Sequence, residues 1–158
     1  MTQKIVKDIE SNNEPYEIAN KYYNLATSDI FKYELDLEYE IKYRISQQFS
    51  LPLSSIKVVG SAHIGSSSFK KTVFIKSKSD LDIAIVDAGQ FNYYLNLVLL
   101  KTGNYSNQLN FYNKDEKTVK NFRYRLSRGI FDFSYLKNID EIDEFDEFFI
   151  SLSNDYVK

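Results

Sequence analysis

The spacing of apolar residues changes several times along the chain, and each change marks an element. Residues 1–14 are polar and unpatterned, ending in Ser11-Asn12-Asn13-Glu14-Pro15, which predicts a weakly ordered start and a helix opening near Pro15. Two periods compete over residues 28–49. Phe31, Tyr33, Leu35, Leu37, Tyr39, Ile41, Tyr43 and Ile45 alternate with charged residues, as in a strand. That run is long for a strand and holds no Val or Thr, and Glu34-Glu38-Lys42 and Glu40-Arg44 stand at the spacing of helical neighbours. Ile30, Leu37, Ile41, Ile45 and Phe49 make a helical stripe with Ser28 as N-cap, so the segment reads as a helix.

Residues 51–55 read as a loop and 56–59 as a short strand that stops at Gly60-Ser61. Residues 81–86 form a continuous, partly β-branched run, as expected of a buried central strand. Helical periodicity follows over about 90–101 and 106–127, the second stretch carrying Lys114, Lys117, Lys120, Arg123, Arg125 and Arg128. Gly129 ends that helix, 130–134 read as another strand, and a last helix from about Ile139 puts Ile142, Phe145, Phe149, Leu152 and Tyr156 on one face. No repeat and no linker interrupts the pattern. The expected fold is α/β (α+β), a small mixed sheet packed against helices, in a single domain spanning 1–158.

Composition narrows the chemistry. Hydrophobic residues at 43% and charged residues at 27%, with five Gly and two Pro, describe a globular chain. The surplus of aromatics, 13 Tyr and 12 Phe, assigns no chemistry by itself. Twenty basic and 22 acidic side chains give a formal charge of -2, so a polyanion would have to bind a local basic patch. Zero Cys excludes disulfides, iron–sulfur clusters and thiolate zinc, and the single His63 excludes His-rich metal sites. Reaction chemistry must therefore run on carboxylates. The start of the chain has no signal-peptide pattern, and the apolar stretch at 95–100 is far below the ~18 residues of a membrane span. The expected location is the cytoplasm, away from any membrane.

The strongest constellation is Val58-Val59-Gly60-Ser61, 18 intervening residues, and Asp80-Leu81-Asp82-Ile83-Ala84-Ile85-Val86. Residues two apart on a strand point the same way, so Asp80 and Asp82 would stand side by side. Two such carboxylates are electrostatically costly without a cation, and hard oxygen ligands suit Mg2+. A Gly-Ser turn lets the backbone approach a ligand closely and offers amide and hydroxyl donors to phosphate. A magnesium pair beside a phosphate cradle is the composition of a phosphoryl-transfer site.

Gly60-Ser61-Ala62, then Gly65, then Ser79-Asp80-Leu81-Asp82 on a hydrophobic run resembles the signature of the polymerase-beta-like nucleotidyltransferase superfamily. The chain is similar to the small bacterial nucleotidyltransferase-domain proteins, several kinds of which sit in phage-defence or toxin–antitoxin loci. The resemblance covers roughly residues 35–135, and its specific part is 58–86. It implies a minimal nucleotidyltransferase palm. It further implies that Asp80 and Asp82 bridge two Mg2+ ions, with a third carboxylate from a later strand helping to activate the acceptor hydroxyl. Asp132, in Gly129-Ile130-Phe131-Asp132-Phe133, is the acid within a later strand-like run and is the candidate; an edge-strand Asp facing water is the alternative. Gly60 and Ser61 would hold the β- and γ-phosphates of a nucleoside triphosphate. Arg123 or Arg125 could meet the triphosphate or the departing pyrophosphate, because the guanidinium fork suits phosphate.

One departure from the pattern is the long interval between Ser61 and Asp80. The basic insertion, residues 66–78, carries Lys70, Lys71, Lys76 and Lys78 and no acid, with room for a hairpin over the nucleotide. Those lysines could meet triphosphate or an RNA backbone; a solvated hairpin face explains them as well. His63 reads as a surface or turn histidine rather than half of a Ser61–His63 hydrolase pair. The acids from Asp140 to Glu147 fit the first turns and outer face of the last helix.

The function expected from the sequence is Mg2+-dependent transfer of a nucleoside monophosphate, AMP on family frequency, to a hydroxyl of a protein partner or an RNA end. Two other readings stay open: a non-catalytic partner-binding or regulatory protein of the same fold, and a synthase of a nucleotide messenger. Oligomeric state is not legible.

Overall fold

The computed structural model describes residues 1–67, 71–75 and 79–156, grouped into two compact units, Met1–Val86 and Asp87–Lys158. In the first unit, α1 (Thr2–Glu10) occupies the start that was expected to be weakly ordered. Its signal is the pair Ile5 and Ile9, four apart and easily lost among polar neighbours. The Thr2 hydroxyl donates to the Ile64 carbonyl at 3.2 Å and shares a hydrogen bond with Ser66 at 2.5 Å. Asp8 accepts from Lys21 at 2.7 Å and from the Tyr22 hydroxyl at 2.8 Å. These donors, Lys21 first, hold the Asp8 carboxyl below its ordinary value.

α2 (Pro15–Ala19) opens with Pro in its first turn, as the sequence predicts, and continues into a π-helical turn over Asn20–Leu25. Within residues 28–49 the long element is a helix rather than a strand. However, α3 spans Leu35–Phe49 and Ser28 does not cap it; a 3-10 turn, Asp29–Phe31, comes first. Ser28 is instead buried and bonded to His63. In α3, Ile41 and Ile45 face the core and Glu38–Lys42 closes at 2.6 Å, while Tyr39 and Tyr43 stack in solvent with centroids 5.7 Å apart. Helical geometry thus satisfies both the apolar stripe and the charge spacing.

Four short strands follow: β1 (Ile56–Val58), then α4 (Gly60–Ile64), β2 (Ser66–Ser67), β3 (Thr72–Val73) and β4 (Ile83–Ile85). β1 pairs antiparallel with β4, Ile56 opposite Ile85 and Val58 opposite Ile83. β2 pairs antiparallel with β3 within the basic insertion. The expectation of a buried central strand over 81–86 needs correction. β4 is three residues long and half-buried, Val86 is exposed, and β1 is its one strand partner among the described residues. Both ladders are antiparallel, so the sheet is not mixed in strand direction. A continuous apolar run looks the same in sequence whether one neighbour strand or two complete it.

In the second unit, α5 (Ala88–Lys101) is capped by Asp87, which accepts from the Gln90 amide at 2.9 Å. α6 (Glu116–Ser127) is capped by Asp115, which accepts from the Thr118 amide at 2.7 Å. The helix is therefore shorter than the expected 106–127: residues 108–110 make a 3-10 turn, and Lys114 is left-handed at φ 54°. Gly129, φ 72°, ends the run past α6 as predicted. Residues 130–134 form no strand. Phe131 lies edge-on to Phe122 at 5.4 Å and Phe133 stacks on Phe145 at 3.8 Å, while Phe133–Tyr135 turns as a 3-10 helix. Both Phe rings are satisfied by helix-borne aromatics, so the alternating pattern needs no sheet.

α7 (Asp140–Tyr156) closes the unit with acids in its first turn, and Ile142 and Leu152 buried. Val98, Phe111, Val119, Phe122, Leu136, Ile139 and Ile142 make its core. Tyr94 packs beside it, and burial pushes its phenol up to about 12. The chain is therefore α+β, dominated by helix, with two two-stranded ladders among its described residues.

Candidate functional site

The register of β1 against β4 brings the two halves of the sequence constellation together. Pairing continues one residue past Val58, where the Val59 amide donates to the Asp82 carbonyl at 2.9 Å. Gly60 follows at φ 62°, and a Cβ there would run into the Asp82 carboxylate. Glycine suits this position, because the left-handed backbone disfavours a side chain and a Cβ would require the Asp82 carboxylate to shift. Asp80 and Asp82 are exposed, with Leu81 half-buried between them, and all three precede β4 rather than lie on it. Ser61 is the second residue of α4, and its carbonyl accepts from the Gly65 amide at 2.9 Å. The structure thus joins Gly60, Ser61 and Asp82 in the first unit and leaves Asp80 in water two residues before.

This donor set fits a hard divalent cation. Mg2+ is commonly held by one or two carboxylates with substrate phosphates completing its shell, and Asp82 at the bend, with exposed Asp80 two residues before it, would be the carboxylates to hold one. Among the described residues no group of three or more His, Cys, Asp or Glu gathers as a cation site.

Asp132 lies in the second unit and is not on a strand, contrary to expectation. It caps the Phe133–Tyr135 turn: Oδ1 accepts from the Ser134 amide at 3.2 Å and hydroxyl at 2.6 Å, and Oδ2 faces Arg125 Nε at 3.9 Å. Arg125 is thereby directed at a carboxylate, while Arg123 lies over the Tyr105 ring at 5.6 Å. In the insertion, Lys71 is exposed at φ 51°. Lys70, Lys76 and Lys78 lie outside the described residues.

His63 departs from the expected surface histidine. It is 2% exposed on α4, its Nδ1 3.0 Å from the Ser28 hydroxyl and its Nε2 against the Tyr22 carbonyl, with the Tyr23 ring stacked on it at 5.2 Å. A carbonyl only accepts, so Nε2 carries a proton; in the neutral ring Nδ1 accepts from Ser28. Both nitrogens are engaged by the segment ahead of α3, which removes His63 as a base for Ser61. Sequence reasoning missed Ser28 and Tyr22 as its partners because they lie 35 and 41 positions away and no local pattern links them. The histidine acts as a staple that fixes α4, and hence the Gly60-Ser61 bend, against the preceding segment.

A cavity of about 320 Å³ opens at the other end of α4, lined in part by Thr2, Asp29, Gly65 and Ser66 and not by Asp80 or Asp82. No helix among the described residues is long and apolar enough to cross a membrane. Comparison with family models, with curated proteins and with solved structures finds no match for this chain.

Proposed function

We propose that the chain is a nucleotidyltransferase of the polymerase-beta-like kind, with a reduced palm. It would move a nucleoside monophosphate, AMP on family frequency, from a nucleoside triphosphate to a hydroxyl of a protein or RNA acceptor. The observation that carries the reading is the Asp82 carboxylate seated on a left-handed Gly60 at the β1–α4 junction. Asp80 and Asp82 would hold Mg2+, which when bound offsets phosphate charge and favours departure of pyrophosphate. Gly60 and Ser61 provide amide and hydroxyl donors to the phosphates, and the His63 staple keeps that bend in place. The reading is argued from Asp80 and Asp82, because Asp132, the third carboxylate of the expectation, belongs to the second unit, where it bonds Ser134 and faces Arg125.

That engagement of Asp132 favours a second reading, a partner-binding protein of the same fold without turnover. Incubation of the full chain with each labelled nucleoside triphosphate, Mg2+, cellular RNA and lysate protein separates the two. Label on protein or RNA supports transfer and names the acceptor class, and label in a soluble product indicates messenger synthesis. No label in any fraction supports the binding protein.

A further inference from the structure

The outward side of α6 is a strip of cations punctuated by an exposed aromatic. Thr118, Val119 and Phe122 bury one side of the helix. Lys117, Lys120, Tyr124 and Arg128, at spacings of three and four, follow the opposite side and are exposed. Residues 114–128 hold six cations against two acids. Asp115, the cap, and Glu116, paired to Lys120 at 2.9 Å, each offset one of these cations, and the segment keeps an excess of positive charge. Arg128 lies over the Tyr124 ring at 5.7 Å and donates to its hydroxyl at 3.0 Å, which fixes a guanidinium–aromatic pair in solvent. Tyr124 is 61% exposed, and Tyr112, in the same unit, is 65% exposed with Lys137 over its ring at 5.4 Å.

We propose that this face of α6 binds single-stranded nucleic acid, the cations tracking phosphates and Tyr124 with Arg128 stacking an unpaired base. The charge is complementary to a polyanion, and the exposed Tyr–Arg pair favours nucleic acid over an acidic protein, which has no bases to stack. The inference concerns the second unit's surface and holds whether or not the first unit transfers nucleotides.

The test measures fluorescence anisotropy of ~12-nucleotide oligo(U) and oligo(dT) with the full chain across a salt series, with polyglutamate as competitor. The expected result is binding whose log Kd rises with log salt with a slope of about 2, near 0.7 per phosphate for three contacts. The variant Lys117→Gln/Lys120→Gln/Arg128→Gln should flatten the slope and weaken binding at least about tenfold at low salt. Tyr124→Leu should weaken it about tenfold while leaving the slope unchanged, a combination that charge alone does not produce. Circular dichroism should show both variants folded, as expected of exposed positions. Equal binding of the two oligomers would mark a general single-strand site, and preference for oligo(U) would mark RNA. Absence of salt-sensitive binding, equal competition by polyglutamate, or an unaltered affinity in the Tyr124 variant would overturn the proposal.

Discussion

At Gly60 the left-handed backbone and the missing side chain together let the Asp82 carboxylate lie against the bend. Any Cβ there meets the carboxylate and must also adopt a left-handed backbone, which costs an L residue about 1–2 kcal/mol. Gly60→Ala should therefore abolish nucleotide-dependent pyrophosphate release while leaving the helical circular dichroism intact. An active Gly60→Ala protein would show that the close approach is incidental. His63 predicts differently, because its role is to hold α4. His63→Ala leaves the Ser28 hydroxyl and Tyr22 carbonyl without their ring partner, at a cost of about 1–3 kcal/mol for a buried group so stranded. Urea unfolding should show that loss for the His63 variant and a smaller one for Ser28→Ala. Tyr94 gives a third readout. Burial favours its neutral form in the folded state, so stability is full below the unfolded value near 10 and is lost as pH climbs towards about 12. Spectrophotometric titration should find a tyrosine that ionises later than the rest; its absence would contradict the burial.

Among the elements, the caps make the sharpest prediction. The Thr118 donors hold the Asp115 carboxyl below its ordinary value, so the folded chain binds that proton less tightly than the unfolded one. Its contribution is present above the unfolded value of about 3.9 and fades as pH falls through the lowered folded value. Asp115→Asn, which keeps a capping oxygen but no charge, should melt a little below wild type at neutral pH and match it near pH 2. A gap that persists in acid would point to geometry rather than charge. α5 and α7, each with one period, were legible nearly to their ends, and α3 was legible as a helix because its charge spacing settled the competition between two periods. The strand expected over 130–134 failed because alternation of Phe131 and Phe133 records only that both face a core, and that core is an aromatic cluster on helices. Ser28 misled for a related reason. A buried serine and a capping serine look alike until the partner, His63, is known. Of the candidate site, the strand that stops at Gly60 was readable, whereas the antiparallel pairing of β1 with β4 that brings Asp82 to Gly60 was not, since no local pattern fixes which strands pair.

For the molecule as a whole, a net charge of -2 conceals strong segregation. Residues 114–128 carry six cations, and the seven acids within α7 have no basic residue among them. Nothing about total charge reveals this, yet it is the segregation on which the proposed polyanion face of the second unit depends, while Asp80 and Asp82 belong to the first unit. The central proposal concerns the first unit: Asp82, lying against Gly60, and Asp80, exposed two residues before it, would support Mg2+-dependent chemistry on a nucleoside triphosphate. Its most direct test is pyrophosphate release by the full chain with Mg2+ and each nucleoside triphosphate, in the presence of cellular RNA and lysate protein, compared with Asp80→Ala/Asp82→Ala. The expected result is release by the wild type with at least one nucleotide, falling to background in the double variant at unchanged thermal stability. A wild type as silent as the variant with every nucleotide, or a variant as active as the wild type, would contradict it.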